Sequence, residues 1–193
     1  MNVKRLTIGT SNKNRFSNLR DIIFEIDPSI IISQSIVQVE ESSDTTIGNA
    51  TLKAHAHYKI HKSNILCVDD GIFLDDKIYS PEVNVRRDSD GKELSKNAII
   101  QKWELILRDK ELKGIMEKTF VFIDKYGVMY SDHVNYIIVL RNCEDINYEI
   151  NPLNNFIYPE GFNKPIAHFT SDELLRFREP QKECLNELIK KLK

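Results

Sequence analysis

Three polar segments each follow a short apolar run, and this order constrains the fold more than any other feature of the chain. The run Lys4 to Thr10 ends in a polar turn, behind which apolar residues recur at helical spacing as far as Asp27-Pro28. Ile30 to Val39 leads into an acidic, hydroxyl-rich loop, and Asn64 to Val68 is halted by Asp69-Asp70-Gly71. This alternation of strands and helices predicts one α/β domain.

The rest of the chain continues the same alternation. Residues 47–62 and the apolar stripe around Trp103 predict helices, and the pattern of 184–192 predicts a final amphipathic helix. Strands are predicted at 119–123, 129–131 and 134–140, with a turn at Lys125-Tyr126-Gly127.

Composition and charge exclude several classes of protein. Lys plus Arg number 27 and Asp plus Glu 29, so a net charge of -2 argues against a general nucleic-acid coat. No apolar run approaches the roughly 18 residues of a membrane helix, and residues 1–10 alternate instead of forming a signal-peptide core. The 3 cysteines are scattered without a CxxC pair, which is typical of a reduced protein. We therefore expect a cytoplasmic protein with no nucleic-acid or membrane partner.

The segment Thr10 to Arg15 has the composition of a phosphate-binding loop. Hydroxyls, an amide and two cations stand where a helix begins, and the free N–H groups of a helix start bind anions. The alternative is an ordinary capped helix, because Ser and Asn are favoured N-caps in any case.

Carboxylates and a lysine form the next two candidate clusters. Glu40-Glu41 precede Lys53 on a predicted helix, and Asp69-Asp70 follow a strand. Two carboxylates at a strand end can hold a divalent cation or orient a water molecule. Taken singly, such residues are more often solvated surface charges or a turn. His55, His57 and His61 lack the spacing of a zinc site and are predicted on the helix surface.

Taken in order, these segments resemble the motifs of the inosine triphosphate pyrophosphatase family, which cleaves non-canonical purine nucleoside triphosphates to the monophosphate and pyrophosphate. Thr10 to Phe16 resembles T-[GS]-N-x-x-K, with Arg15 at the lysine, and Glu41 to Ala54 is similar to E-[TS]-G-x-T-F-x-E-N-A-x-x-K-A. Without a gap, Cys67 to Ile72 falls on A-D-D-S-G-L, and Pro81 to Arg87 resembles P-G-V-Y-S-A-R. Four collinear matches are far more specific than any one of them.

The resemblance implies a role for each matched residue. On the ungapped register Asp69 is the general base that positions the attacking water, and Val68 replaces the family's first acidic residue. A one-residue deletion would instead pair Asp69 and Asp70 with both acids. Glu41 and Asp69 are the implied ligands of Mg²⁺, which would polarise a phosphoryl group and lower the pKa of a bound water. The implied phosphate- and substrate-binding residues are Thr10, Ser11, Asn12, Lys13, Arg15, Lys53, Asp70 and Arg87.

The carboxyl-terminal half resembles the family's scaffold without its base-reading residues. Phe156 to Phe162 resembles the stretch after the family's G-F-G-Y-D-P loop, which puts 151–155 at the loop itself. Counting on from Ser171-Asp172-Glu173 puts Leu175 at a lysine and Glu179-Pro180-Gln181 at Ser-His-Arg. Because hydrogen-bonding groups around the base provide discrimination, we expect an altered base specificity.

The family fold implied for residues 1–193 is a single α/β domain, with a long mixed sheet flanked by helices and two lobes around a central cleft. Members are commonly dimers, so the resemblance also implies a homodimer. Two functions stay open: a Mg²⁺-dependent nucleoside triphosphate pyrophosphatase, or a catalytically weakened relative that binds a nucleotide or a partner. The shared register of Glu41, Lys53 and Asp69 favours the enzyme, whereas the losses at Val68 and Leu175 favour the binding protein.

Overall fold

The computed structural model describes residues 4–85, 87–88 and 90–192. Six strands occur in these ranges: β1 (Arg5–Gly9), β2 (Ile31–Ser35), β3 (Ile65–Leu74), β4 (Leu112–Ile123), β5 (Met129–Leu140) and β6 (Ile157–Pro159). The α-helices there are α1 (Lys13–Ile26), α2 (Thr46–His61), α3 (Lys96–Ile106) and α4 (Ser171–Ile189), with short 3-10 helices at Pro152–Asn155 and Ile166–His168. No helix within these ranges has the length and apolar character needed to cross a membrane.

The strands form one mixed sheet in the order β2-β1-β3-β4-β5-β6. β1 runs parallel to β2 and to β3, with Thr7 opposite Ser33 and Ile65, whereas β5 and β6 are antiparallel, with Val139 opposite Tyr158. Parallel neighbours need a long crossover, and α1 and α2 supply the two crossovers here. The predicted α/β fold with a mixed sheet flanked by helices is therefore confirmed.

The chain divides into two compact units. Unit 1 comprises the described residues of Met1–Asp70, Lys118–Val134 and Arg178–Lys193, and unit 2 those of Gly71–Glu117 and Asn135–Phe177. The assignment of residues 1–193 to a single domain stays a prediction.

In unit 1, α2 packs on the strands through small residues. Ala50 and Ala54 belong to one fully buried cluster that also contains Ile65, Cys67, Val121 and Ile123. Because an alanine side chain is short, the helix lies close to the strands, and polar residues on the same helix face are buried with it. Lys53 and His57 are the two buried residues of this kind that bear on the site.

The strand β3 does not end where the sequence predicted. The pattern placed a turn at Asp69-Asp70-Gly71, but the strand continues through these residues to Leu74. Ile72 and Leu74 are buried, and the burial of their side chains stabilises the extended backbone beyond the two carboxylates. The aspartates are therefore strand residues, whose side chains leave the backbone on alternate faces.

Three other boundaries also differ from the predictions. β2 is shorter than predicted and ends at Ser35, and 129–140 is one strand where two were predicted. α4 begins at Ser171 and continues through Pro180, although proline removes one backbone hydrogen bond from a helix interior. Buried Phe177 and Leu185 on either side of Pro180 supply packing that offsets that loss.

In unit 2, Asn155 is a fully buried side chain whose hydrogen-bonding groups are all used. Its Oδ1 accepts from the backbone N–H of Asn147 at 2.8 Å, and its Nδ2 donates to the carbonyl oxygens of Asn147 and Pro152. These bonds organise the segment that leads into β6.

We expect Asn155→Ala to lower the free energy of unfolding by about 2–4 kcal/mol, because one N–H and two carbonyl groups lose their buried partner. Urea unfolding measures this loss. The exposed Asn163→Ala is the control and should change stability by less than about 0.5 kcal/mol. An equal effect of the two substitutions would contradict the structural role of Asn155.

The first turn of α4 is closed by a reciprocal pair of hydrogen bonds. Thr170 Oγ1 accepts from the backbone N–H of Glu173, and Glu173 Oε2 accepts from the backbone N–H of Thr170 at 2.8 Å. Lys164 Nζ lies 2.8 Å from the same carboxylate oxygen. The hydrogen bonds from Lys164 and Thr170 lower the pKa of Glu173 to about 2.

A lowered pKa means that the ionised form stabilises the fold above the ordinary pKa of 4.5 and that this stabilisation is lost as pH falls towards about 2. We therefore expect Glu173→Gln, which keeps the cap but removes the charge, to be less stable than the parent at pH 7. The difference should vanish between pH 4.5 and about 2 in urea unfolding curves. The exposed Glu183→Gln on the same helix should show no such convergence.

Candidate functional site

The polar turn after β1 is built on backbone hydrogen bonds. Thr10 is buried, its backbone N–H donates to Ser35 O at 3.0 Å, and its carbonyl accepts from Gln34 Nε2 at 2.8 Å. Thr10 Oγ1 accepts the backbone N–H of Asn12, whose side chain is the N-cap of α1 and accepts the backbone N–H of Arg15. The capped-helix interpretation of Asn12 is therefore correct, and the cap fixes where the helix start points.

Arg15, in the first turn of α1, reaches across to β3. Its Nη2 lies 2.5 Å from Asp70 Oδ2, and only about a fifth of its side chain is exposed. The residues are 55 positions apart, so this ion pair joins the first and third sequence motifs in space.

Lys53 joins the second motif to the third. Its Nζ lies 2.5 Å from Asp69 Oδ1 and 3.0 Å from Glu41 Oε1, and the ammonium group is shared by the two carboxylates. Lys53 and Asp69 are buried, whereas Glu41 is exposed in the loop after β2. The helix α2 follows that loop, and Thr45 is its N-cap, with a side chain that accepts a hydrogen bond from Gly48 N.

Lys118 belongs to the same group of charges and was missed in the sequence analysis. Its Nζ lies 2.8 Å from Asp70 Oδ1, on the carboxylate that also binds Arg15. The predicted strand began at Thr119, seven residues after the observed start of β4 at Leu112, so Lys118 was left outside it. A signal was present, because Lys118 continues the alternation that buries Leu112 and Met116 in β4.

Three carboxylates and three cations thus form two groups of ion pairs in unit 1, and burial and pairing shift the pKa values of Asp69 and Asp70. Burial raises the pKa of Asp69 above its usual value, with Glu41 and Asp70 adding to the effect and Lys53 opposing it. Burial would also raise the pKa of Asp70, but the charges and hydrogen bonds of Lys118 and Arg15 lower it well below its usual range. Asp69 is therefore the better proton acceptor of the two, and Asp70 is the stronger acid.

Other predicted site residues lie outside this group of contacts. Ser11 and Lys13 are exposed at the start of α1. Arg87 is an exposed residue of unit 2 whose backbone pairs with Glu93. Within the matched segment before it, Arg86 lies outside the described residues. The substrate-binding roles of Ser11, Lys13 and Arg87 stay predictions.

The structure also describes the positions that the resemblance placed at the family's base-reading residues. Leu175 is exposed and apolar, Pro180 lies inside α4, and Gln181 is buried. Asn155, in the segment aligned with the base-reading loop, uses its amide to hold the backbone. Val68, which the ungapped resemblance placed at an acidic residue, is a buried residue of β3.

His57 is buried, so the prediction that the three α2 histidines lie on the surface is wrong for this residue. Its Nδ1 lies 2.8 Å from Ser35 Oγ, and His61 Nε2 lies 2.7 Å from the same hydroxyl. Burial lowers the pKa of His57, and the neighbouring His61 lowers it further. The backbone carbonyl of Ser35 also accepts the N–H of Thr10. The two histidines therefore contact the same residue that holds the start of the polar turn.

The donor set at Glu41 and Asp69 is compatible with Mg²⁺. Among the described residues no three His, Cys, Asp or Glu side chains are grouped as a complete metal site. Mg²⁺ does not require such a group, because it is commonly held by one or two carboxylates, water and substrate phosphates. Glu41 and Asp69 already converge on one cation, the ammonium of Lys53, and are oxygen donors of the kind that Mg²⁺ prefers.

Known proteins with similar sequences match this chain along most of its length. No family model matches the chain. The chain is 25% identical over 179 residues to a dITP/XTP pyrophosphatase of Aquifex aeolicus, covering 88% of this chain and 87% of the relative. It is 26% identical over 213 aligned positions to a dITP/XTP pyrophosphatase of Hydrogenobaculum sp., covering 97% and 99%.

A solved structure shares the fold along the same length. The HAM1 protein of Coxiella burnetii superposes with a TM-score of 0.78 at 16% identity, over 97% of this chain and 98% of that one. The relatives span nearly the whole chain, and three of the four matched motifs converge through Arg15, Lys53, Asp69 and Asp70. The comparisons therefore support the resemblance of this chain to the inosine triphosphate pyrophosphatase, or Ham1, family.

Proposed function

We propose that this protein is a Mg²⁺-dependent nucleoside triphosphate pyrophosphatase that hydrolyses a purine nucleoside triphosphate to the monophosphate and pyrophosphate. The observation that carries the proposal is the contact of Lys53 with Glu41 and Asp69, because it unites two separate motifs at one buried point. The two relatives named dITP/XTP pyrophosphatase support the reaction class.

Asp69 is the proposed general base. It accepts a proton from the water that attacks at the anhydride between the α and β phosphorus atoms, and the pyrophosphate group leaves. A carboxylate in a buried site is a stronger base than one in water, and burial raises the pKa of Asp69 in this direction. Lys53, at 2.5 Å, holds the carboxylate in place.

The cations and the start of α1 bind the phosphate chain. Arg15 and Lys53 offer positive charge, and Arg15 adds a planar fork that fits phosphate oxygens. Thr10, Ser11 and Asn12 stand before the first turn of α1, where the unpaired N–H groups of a helix favour anions. Glu41 and Asp69 would hold Mg²⁺, which polarises a phosphoryl group and lowers the pKa of a bound water.

The base specificity of this chain differs, on our proposal, from that of its relatives. A protein selects a base through polar groups that would be left unpaired by the wrong one. Leu175 offers no such group, and the side chain of Gln181 is buried. We also propose a cytoplasmic location, which the three free cysteines among the described residues favour, and a homodimer, which rests on the family resemblance.

The second candidate is a relative that binds a nucleotide or a partner without turnover. The observation that favours it is the neutralisation of the cations, since Arg15 and Lys53 are both already paired with carboxylates. An assay of pyrophosphate release with Mg²⁺ separates the two candidates, because the enzyme releases pyrophosphate and the binding protein does not.

We expect Asp69→Asn to reduce pyrophosphate release by about 10²–10⁴-fold, because the general base is lost, while circular dichroism stays unchanged. The assay contains Mg²⁺ and the triphosphates of inosine, xanthosine and the four standard ribo- and deoxynucleosides. Asp75→Asn, an exposed aspartate just beyond β3, is the matched control. Activity of Asp69→Asn equal to the parent would contradict the base assignment. No release by the folded parent from any substrate would favour the binding protein.

We expect Glu41→Gln to raise the Mg²⁺ concentration needed for half-maximal activity by about 10- to 100-fold, because a charged oxygen ligand is replaced by a neutral one. A metal titration at saturating nucleotide measures the shift. The neighbouring Glu40→Gln is the control and should titrate like the parent. An unchanged titration of Glu41→Gln would remove Glu41 from the metal site.

A further inference from the structure

The carboxylate of Asp70 joins two cations from different elements. Its Oδ2 binds Arg15 of α1 and its Oδ1 binds Lys118 of β4, so one oxygen is committed to each cation. Both cations are about one-fifth exposed and the carboxylate slightly more, so the three groups can be reached from solvent. All three lie in unit 1.

Asp70 is the anion that these two side chains bind in this structure. A carboxylate and a phosphate present similar oxygen pairs, and both are bound by Arg and Lys through charge-assisted hydrogen bonds. Asp70 contacts both cations at once, through a different carboxylate oxygen for each. An incoming phosphate therefore meets a fixed competitor and not two free cations.

Asp69 and Asp70 are adjacent in sequence but serve different cations. Asp69 binds Lys53, and none of the described contacts links Lys118 to Asp69 or to Glu41. The pair at Asp70 can therefore open without breaking the contact that holds the proposed base. Pyrophosphate binding, which involves no proton transfer, can therefore be measured by itself.

We propose that Lys118 is a further phosphate-binding residue of this site and that Asp70 is an internal anion that a substrate phosphate displaces from Arg15 and Lys118. The inference rests on the proposed function, since it concerns the phosphate end of the same site. It assigns Asp70 an indirect role in substrate binding, in which its carboxylate competes with the ligand.

The proposal predicts opposite signs for two substitutions. Lys118→Met removes a cation that binds the ligand, so inorganic pyrophosphate should bind about 10-fold more weakly to this variant. Asp70→Asn removes the competitor, so pyrophosphate should bind several-fold more tightly than to the parent. If Lys118 and Asp70 only held the fold together, both substitutions would weaken binding.

Isothermal titration calorimetry with inorganic pyrophosphate, at constant ionic strength, measures these affinities without requiring turnover. Lys113→Met is the matched control for Lys118→Met, because Lys113 is an exposed lysine of the same strand. Asp75→Asn removes a negative charge from an exposed position and controls for net charge. If Asp70→Asn does not fold, Asp70→Ser, with a small hydroxyl, replaces it.

A double-mutant cycle separates a direct effect from a general change in charge. The gain from Asp70→Asn should shrink to less than half, on a logarithmic scale, when Lys118 is already Met. Equal gains in both backgrounds, or a gain from Asp75→Asn of the same size, would overturn the proposal. So would parent-like binding by Lys118→Met.

The outcomes also separate this inference from the proposed function. If nucleotides are hydrolysed but Lys118→Met leaves pyrophosphate affinity and KM unchanged, the inference fails and the function stands. If no nucleotide is hydrolysed but the affinities change with the expected signs, the enzyme proposal fails and a phosphate-binding site at Lys118 stands.

Discussion

The buried contact between Lys53 and Asp69 is the interaction on which the site depends. A charged group removed from water costs several kcal/mol unless it is paired, so neither side chain could be held at this depth alone. The pair therefore fixes the position of α2 against β3, and the small residues Ala50 and Ala54 allow the close approach that it requires. The same lysine also binds Glu41, so the loop after β2 is held by the same charge.

The site in unit 1 contains three carboxylates and three cations, and each is paired with a group of opposite charge. They are Glu41, Asp69, Asp70, Arg15, Lys53 and Lys118. Such an arrangement keeps the site intact without a ligand, because every buried charge has a partner of opposite sign. A polyanionic substrate can therefore bind these cations only if it replaces the carboxylates that are already paired with them. The pairing at Asp70 is more exposed than that at Asp69, so the physical cost of the exchange is lower at Asp70.

Local patterns predicted much of the fold correctly. Apolar spacing and the Asn12 cap define α1, and alternating strands and helices define the parallel part of the sheet. The pattern was wrong at Asp69-Asp70-Gly71, because a turn-like composition was overridden by the burial of the residues that follow. It was wrong at His57 for a related reason, since the small residues on the same face of α2 bury the whole face. Short-range sequence patterns do not predict how closely a helix packs against a sheet.

The sequence by itself determined the alternation of the first strands and helices, the family resemblance and the chemical types at the phosphate end, because these depend on spacing between neighbours along the chain. Only the tertiary structure decided which charge pairs with which. Arg15 and Lys118 reach Asp70 across 55 and 48 residues, and these contacts exist because of the order of strands in the sheet. Strand order is set by packing between distant segments of the chain. The residues next to Lys118 in the sequence therefore do not indicate that it pairs with Asp70.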